Sequence, residues 1–116
     1  MISLIILIIV ATEHLIFGCV EMFGSKKLQS RAFGFEENSL NNLLLQTALA
    51  NQGIYNIGFG LLILFLVLIH ASAPVLMGTM AFVILVGFYG AFTVTKKILL
   101  VQALPAVLGI ITLIVL

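Results

Sequence analysis

The chain reads as apolar stretches broken by short polar interruptions. The stretches cover about residues 2–23, 40–69, 74–95 and 98–116. Each approaches or exceeds the roughly 20 apolar residues that let a helix cross the hydrocarbon core of a bilayer. The pattern predicts an all-α fold, a four-helix transmembrane bundle occupying residues 1–116 as one domain. Pro74 suits the first turn of the third helix, where a missing N–H costs nothing. Pro105 falls inside the fourth stretch and is expected to kink it.

The interruptions set the topology. Residues 24–39 form the only connection long enough to hold structure of its own, and they carry Lys26, Lys27, Arg31, Glu36 and Glu37. Phe33 and Phe35 are expected to rest at the membrane interface. The turn at His70 is tight, and the last connection is little more than Lys96-Lys97. In a four-span chain the first and third connections share one side of the membrane. All five Lys and Arg residues lie in them, so the positive-inside rule makes segments 24–39 and 96–97 cytoplasmic and both termini extracytoplasmic.

Composition sharpens this picture. The chain is 63% hydrophobic and 8% charged, against about 25% charged in a typical soluble domain. Its mean hydropathy is +1.35. The expected partner of such a surface is the lipid bilayer. A net charge of +1 supplies none of the basic field that nucleic acid demands. The single cysteine, Cys19, rules out an internal disulfide and a cysteine metal cluster; it is expected to be a small packing residue. No Lys or Arg precedes the first apolar run, and Glu13 and His14 interrupt it. The segment is therefore expected to be a retained helix rather than a signal peptide.

The few polar residues inside the spans carry the candidate chemistry. An ionisable side chain at the bilayer centre costs about 2.5–3.5 kcal/mol on insertion scales and is a functional candidate by default. The first helix holds Glu13, His14 and Glu21. His14 and Glu21 are one heptad apart and share a face, and Glu13 lies within about 100° of both. A deep carboxyl is carried protonated or paired with a cation, so Glu13 and His14 are expected to share a proton. The second helix presents Asn51, Gln52, Tyr55 and Asn56 on one broad face. Counted from the cytoplasmic ends, that face lies level with Glu13 and His14. Tyr89 and Gln102 sit nearer the cytoplasmic side, so a polar pocket lined by all four helices is expected. The plainer reading is that Asn, Gln and Tyr hold helices together, at about 0.6 kcal/mol per hydrogen bond. Gly87, Ala91 and Thr95 form a small-residue ridge, and Gly53, Gly58 and Gly60 are expected to admit a close neighbour in the same way.

Several of these segments resemble one family. The pattern His14-x-x-Phe17-x-x-x-Glu21-Met22-Phe23 resembles the opening signature of small four-helix membrane proteins catalogued as domain of unknown function 1304. Asn51-Gln52-Gly53-Ile54-Tyr55-Asn56 is similar to its most recognisable motif. Residues 87–93 and 102–106 match its later segments. The resemblance implies the four-helix fold and a bacterial-type plasma membrane, and it implies no activity. It covers His14, Glu21, Asn51, Gln52, Asn56, Tyr89 and Gln102 but not Glu13, which shifts emphasis toward His14 with Glu21.

Three functions compete on these grounds. The intramembrane polar face binds or transports a small solute, a lipid headgroup or a proton, with a homodimer as the natural form. Alternatively, the protein is an accessory subunit whose polar face holds a partner helix. A lipid-modifying enzyme is the weakest reading, because the chain carries no nucleophile elbow, metal cluster or phosphate loop. Nothing in the sequence calls for a cofactor or a metal.

Overall fold

The computed structural model describes residues 1–116 and contains helices but no strand. Helix α1 spans Ile2–Phe23 and α2 spans Lys26–Phe33. A 3₁₀ turn at Glu37–Asn41 leads into α3, Leu43–Leu68. Helix α4 covers Ala73–Thr93. A π-helical turn at Leu99–Ala103 runs directly into α5, Leu104–Val115. By length and composition α1, α3 and α4 are able to cross a membrane, and Leu99–Val115 is a shorter apolar helix.

Local chemistry explains where these elements start and stop. Helix α3 begins at Leu43, not at residue 40, because the Asn42 side chain caps it. Asn42 Oδ1 accepts from the N–H groups of Leu44 (2.8 Å) and Leu45 (3.3 Å), two of the donors a helix start leaves unpaired. Ser25 caps α2 in the same way, its Oγ accepting from Leu28 N–H at 3.1 Å. Gly34 ends α2 in the left-handed conformation, φ 74°. Phe33 does not face outward: it is buried with Leu40 and Leu49, forming a small core between this connection and α3. Pro74 lies in the first turn of α4, as expected.

Pro105 acts through the π turn. It has no N–H to give the carbonyl four residues earlier. The winding widens just before it, and Leu104 N–H donates to Leu99 O, a step of five residues instead of four.

Helix α1 packs on α3 along one side and on α5 along the other, while α4 packs on α5 and the π turn. The α1–α3 contact is backbone to backbone. A Cβ added to Gly18 would lie 2.5 Å from Gly53 O, and one added to Gly60 would lie 2.8 Å from Ala11 O. Gly87 brings α4 against Ala103, where an added Cβ would lie 3.1 Å away. Gly58 does not serve this way, because it faces open space. Cys19 also departs from expectation: it is exposed, on a side of α1 that packs on nothing in the chain. Leu7, Val10, Ala11, Ile63, Met80, Val83 and Ala106 form the main core.

These contacts fix the register of α1 against antiparallel α3. Gly18 stands opposite Gly53, and Ala11 opposite Gly60. Helix α3 therefore overhangs α1 at the end that carries residues 24–41. His14 is level with Phe59, and Asn51 and Gln52 lie about two turns beyond it. The expected common level is not formed, because the first turns of α3 extend past the end of α1 and pack on the 3₁₀ turn instead.

Candidate functional site

The polar residues of α1 leave the helix in different directions and find different neighbours. His14 is 1% exposed. Its Nδ1 lies 2.8 Å from Val10 O, and its Nε2 lies 3.2 Å from Nε2 of Gln102 in the π turn. A carbonyl only accepts, so Nδ1 donates; Nε2 accepts from the Gln102 amide. That is a neutral imidazole with both nitrogens occupied. Its ring packs on Phe59, with centroids 5.2 Å apart.

Glu13 is the neighbouring residue and is left incomplete. Its Oε2 is buried and has no hydrogen-bond partner. The shared proton expected between Glu13 and His14 is not formed, since both imidazole nitrogens face other groups. Glu13 stands one heptad from Ile6, which lies against Gly109 of α5. Gln102 stands one heptad from Gly109 in the same sense. Glu13 and Gln102 thus share one level on the flank where α1 meets α5.

Glu21 is buried, and both its carboxyl oxygens accept from Asn56 Nδ2 of α3, at 3.1 and 2.8 Å. His14 and Glu21 share a face of α1, but two turns separate them and each has its own partner. A third pair joins Gln29 of the polar connection to Gln46 of the second apolar stretch, and its sequence signal was weak. Gln29 of α2 is 1% exposed. Its Nε2 donates to Val20 O (3.1 Å) and Glu21 O (3.2 Å), and its Oε1 accepts from Gln46 Nε2 (3.0 Å). The amphipathic spacing of Gln29 and Phe33, four residues apart, was the available clue.

The structure gathers the polar residues into three separate pairs: His14 with Gln102, Glu21 with Asn56, and Gln29 with Gln46. It does not bring Asn51, Gln52, Tyr55 or Tyr89 into a shared pocket. All four are exposed. Chemically, His14 is a saturated support, and Glu13 Oε2 is an open acceptor beside it.

Comparison with known proteins agrees with the resemblance noted from the motifs. The chain is 35% identical over 113 residues to the uncharacterized protein YpaA of Lactococcus lactis subsp. lactis (strain IL1403), covering 95% of this chain and 94% of that protein. No solved structure matches it. The profile of the family described as protein of unknown function (DUF1304) matches residues 8–114, a span that holds every polar pair described above, and the chain belongs to that family.

Proposed function

We propose that the protein is a multi-pass membrane protein with an intramembrane binding site on the α1–α5 flank, formed by Glu13, His14 and Gln102. In this reading α1, α3, α4 and the Leu99–Val115 helix each cross the plasma membrane within one domain. Lys26, Lys27, Arg31, Lys96 and Lys97 hold connections 24–39 and 96–97 in the cytoplasm. Both chain ends and the His70 turn then face outward.

The carrying observation is the buried Glu13 oxygen without a donor. An unpaired polar group in hydrocarbon costs several kcal/mol. Neither the backbone nor a side chain supplies a hydrogen to this oxygen, which supports a donor from outside the chain. The ligand is a hydrogen-bond donor: a proton, or the hydroxyl or ammonium group of a small solute or lipid headgroup. Separate polar pairs, rather than one continuous lining, favour a bound ligand over a pathway through a single copy.

Two measurements on the intact protein test this. Infrared difference spectra between acid and alkaline buffer should show a carboxyl C=O band that Glu13→Gln removes, Gln102→Leu shifts and Asn51→Ala leaves alone. Native mass spectrometry from mild detergent should show any bound solute or lipid as an added mass that Glu13→Gln loses. A band without an added mass identifies the proton as the ligand. If neither signal depends on Glu13, the binding reading falls and the accessory-subunit reading replaces it.

A further inference from the structure

The two connections that carry the cations meet at one end of the molecule. Lys27 and Arg31 are four residues apart on α2, and Gly34 follows three residues later, so the three stand in line along one face. A Cβ added to Gly34 would lie 3.9 Å from the Thr95 side chain, and Lys96 and Lys97 come directly after Thr95. The opposite face of α2 is buried through Gln29 and Phe33. Lys27, Arg31, Lys96 and Lys97 are all exposed. The acidic surface of this end is elsewhere. Glu36 and Glu37 line a separate cavity with Asn38, Asn41 and Lys26, and Lys26 donates to Asn41 Oδ1 at 2.6 Å. No ion pair ties either glutamate to the other four cations. Exposed apolar side chains border those four: Leu28 beside Lys27, and Phe92, Leu99 and Leu100 on either side of Lys96-Lys97.

We infer that this end of the molecule binds the phosphate of an anionic phospholipid headgroup, with Lys27 and Arg31 of α2 on one side and Lys96-Lys97 on the other. Arg31 is the anchor, since a planar guanidinium takes two phosphate oxygens at once, and the lysines add point charge. The sign of the headgroup follows from what the four cations lack. A zwitterionic lipid would bring an ammonium group into their field with no carboxylate to receive it. The bordering apolar residues favour a lipid over a free anion, because acyl chains attached to the phosphate continue onto Leu28, Phe92 and Leu100. Helices that lie in a membrane interface combine cations and apolar side chains in this way, and basic sites between membrane helices take lipid headgroups. The inference rests on the membrane reading above but not on the Glu13 site. It is also separate from the topological role of the same cations, which act in that role during insertion and in this one after folding.

The test is a lipid titration of the full chain in mild detergent, read by native mass spectrometry, where the direction of insertion plays no part. Phosphatidylglycerol should bind as an added mass at concentrations roughly tenfold or more below those that phosphatidylcholine needs. Arg31→Gln combined with Lys97→Gln should weaken phosphatidylglycerol binding by about thirtyfold, the effect of two surface cations at about 1 kcal/mol each. Lys26→Gln should leave it unchanged, because Lys26 shares its cavity with Glu36 and Glu37. Glu13→Gln should also leave it unchanged, which separates this site from the one on the α1–α5 flank. Equal affinity for the two lipids, an equal loss in Lys26→Gln, or displacement of phosphatidylglycerol by an equal concentration of inorganic phosphate would each overturn the inference. Both substituted positions are exposed, so the double variant should keep the wild-type Tm. Should it melt early, Lys27→Gln combined with Lys96→Gln takes its place and should give the same loss; full binding in that variant would overturn the inference too.

Discussion

His70 sits in the turn between α3 and α4 with φ 53°, the left-handed region. It is the αL residue of a Schellman ending. Ala71 N–H donates to Leu66 O at 2.9 Å, and His70 N–H to Val67 O at 3.1 Å. A side chain in this conformation costs about 1–2 kcal/mol relative to right-handed backbone. His70→Gly should therefore raise stability by about 1 kcal/mol, read as a higher Tm in mild detergent. Gly34 poses the opposite case: its φ is 74° and the nearest atom to an added Cβ is 3.9 Å away. Backbone strain alone decides there, and Gly34→Ala should lower stability by about 1 kcal/mol. Of the nine polar residues that sequence singled out, His14, Glu21, Asn56 and Gln102 find side-chain partners inside the bundle, whereas Asn51, Gln52, Tyr55 and Tyr89 are exposed and Glu13 is left without one. Sequence could not pair them, because pairing depends on a register set by glycines whose neighbours lie dozens of residues away. Gln29 escaped notice because a glutamine beside two lysines and an arginine reads as solvated.

At the level of helices, the α1–α3 contact bears the most direct test. Backbone lies against backbone at Gly18 and Gly53, so Gly18→Val has no room to relax into. Overpacking of this kind costs typically 1–3 kcal/mol. The same change at Gly58, which opens to the outside, should leave the monomer's stability unchanged. Thermal unfolding of the two variants in detergent makes the comparison. Helix α2 docks through two buried side chains, Phe33 and Gln29, and only Gln29 does so by hydrogen bonds. Gln29→Leu would strand the Glu21 carbonyl and part of Gln46, at a cost of about 1–3 kcal/mol, while Val20 O keeps the Gly24 N–H. Faster protease cleavage within residues 24–41 would report the loss. Helix positions were largely legible from apolar runs, since length and hydropathy alone mark a span. Helix starts were less so. Residue 40 looked like part of a helix because leucine carries no information about capping, whereas the Asn42 side chain does. Pro105 announced an irregular winding, but not that a π turn just before it would carry Gln102 to His14.

For the whole molecule the charge distribution makes the clearest prediction. In a Cys19→Ser background, a cysteine at Lys27 should be labelled by a membrane-impermeant thiol reagent only after the cells are opened. A cysteine at His70 should be labelled in intact cells. Reversed labelling would invert the topology proposed here. The all-helical class followed from the long apolar runs, three of which form helices able to cross a membrane. The arrangement of helices did not, since four apolar stretches carry no address for one another.

The hydrogen bond between His14 and Gln102 joins positions 88 residues apart. A ribosome adds about 5–20 residues per second, so His14 emerges on the order of ten seconds before its partner exists. Through that interval His14 Nδ1 is held by Val10 O within the first helix but Nε2 has no partner, and in the membrane reading proposed above the insertion machinery must shelter it. A chain cut short before the π turn never completes the pair. Such fragments should be recognised and degraded faster than the full chain in a pulse-chase experiment, so the last helix certifies the first.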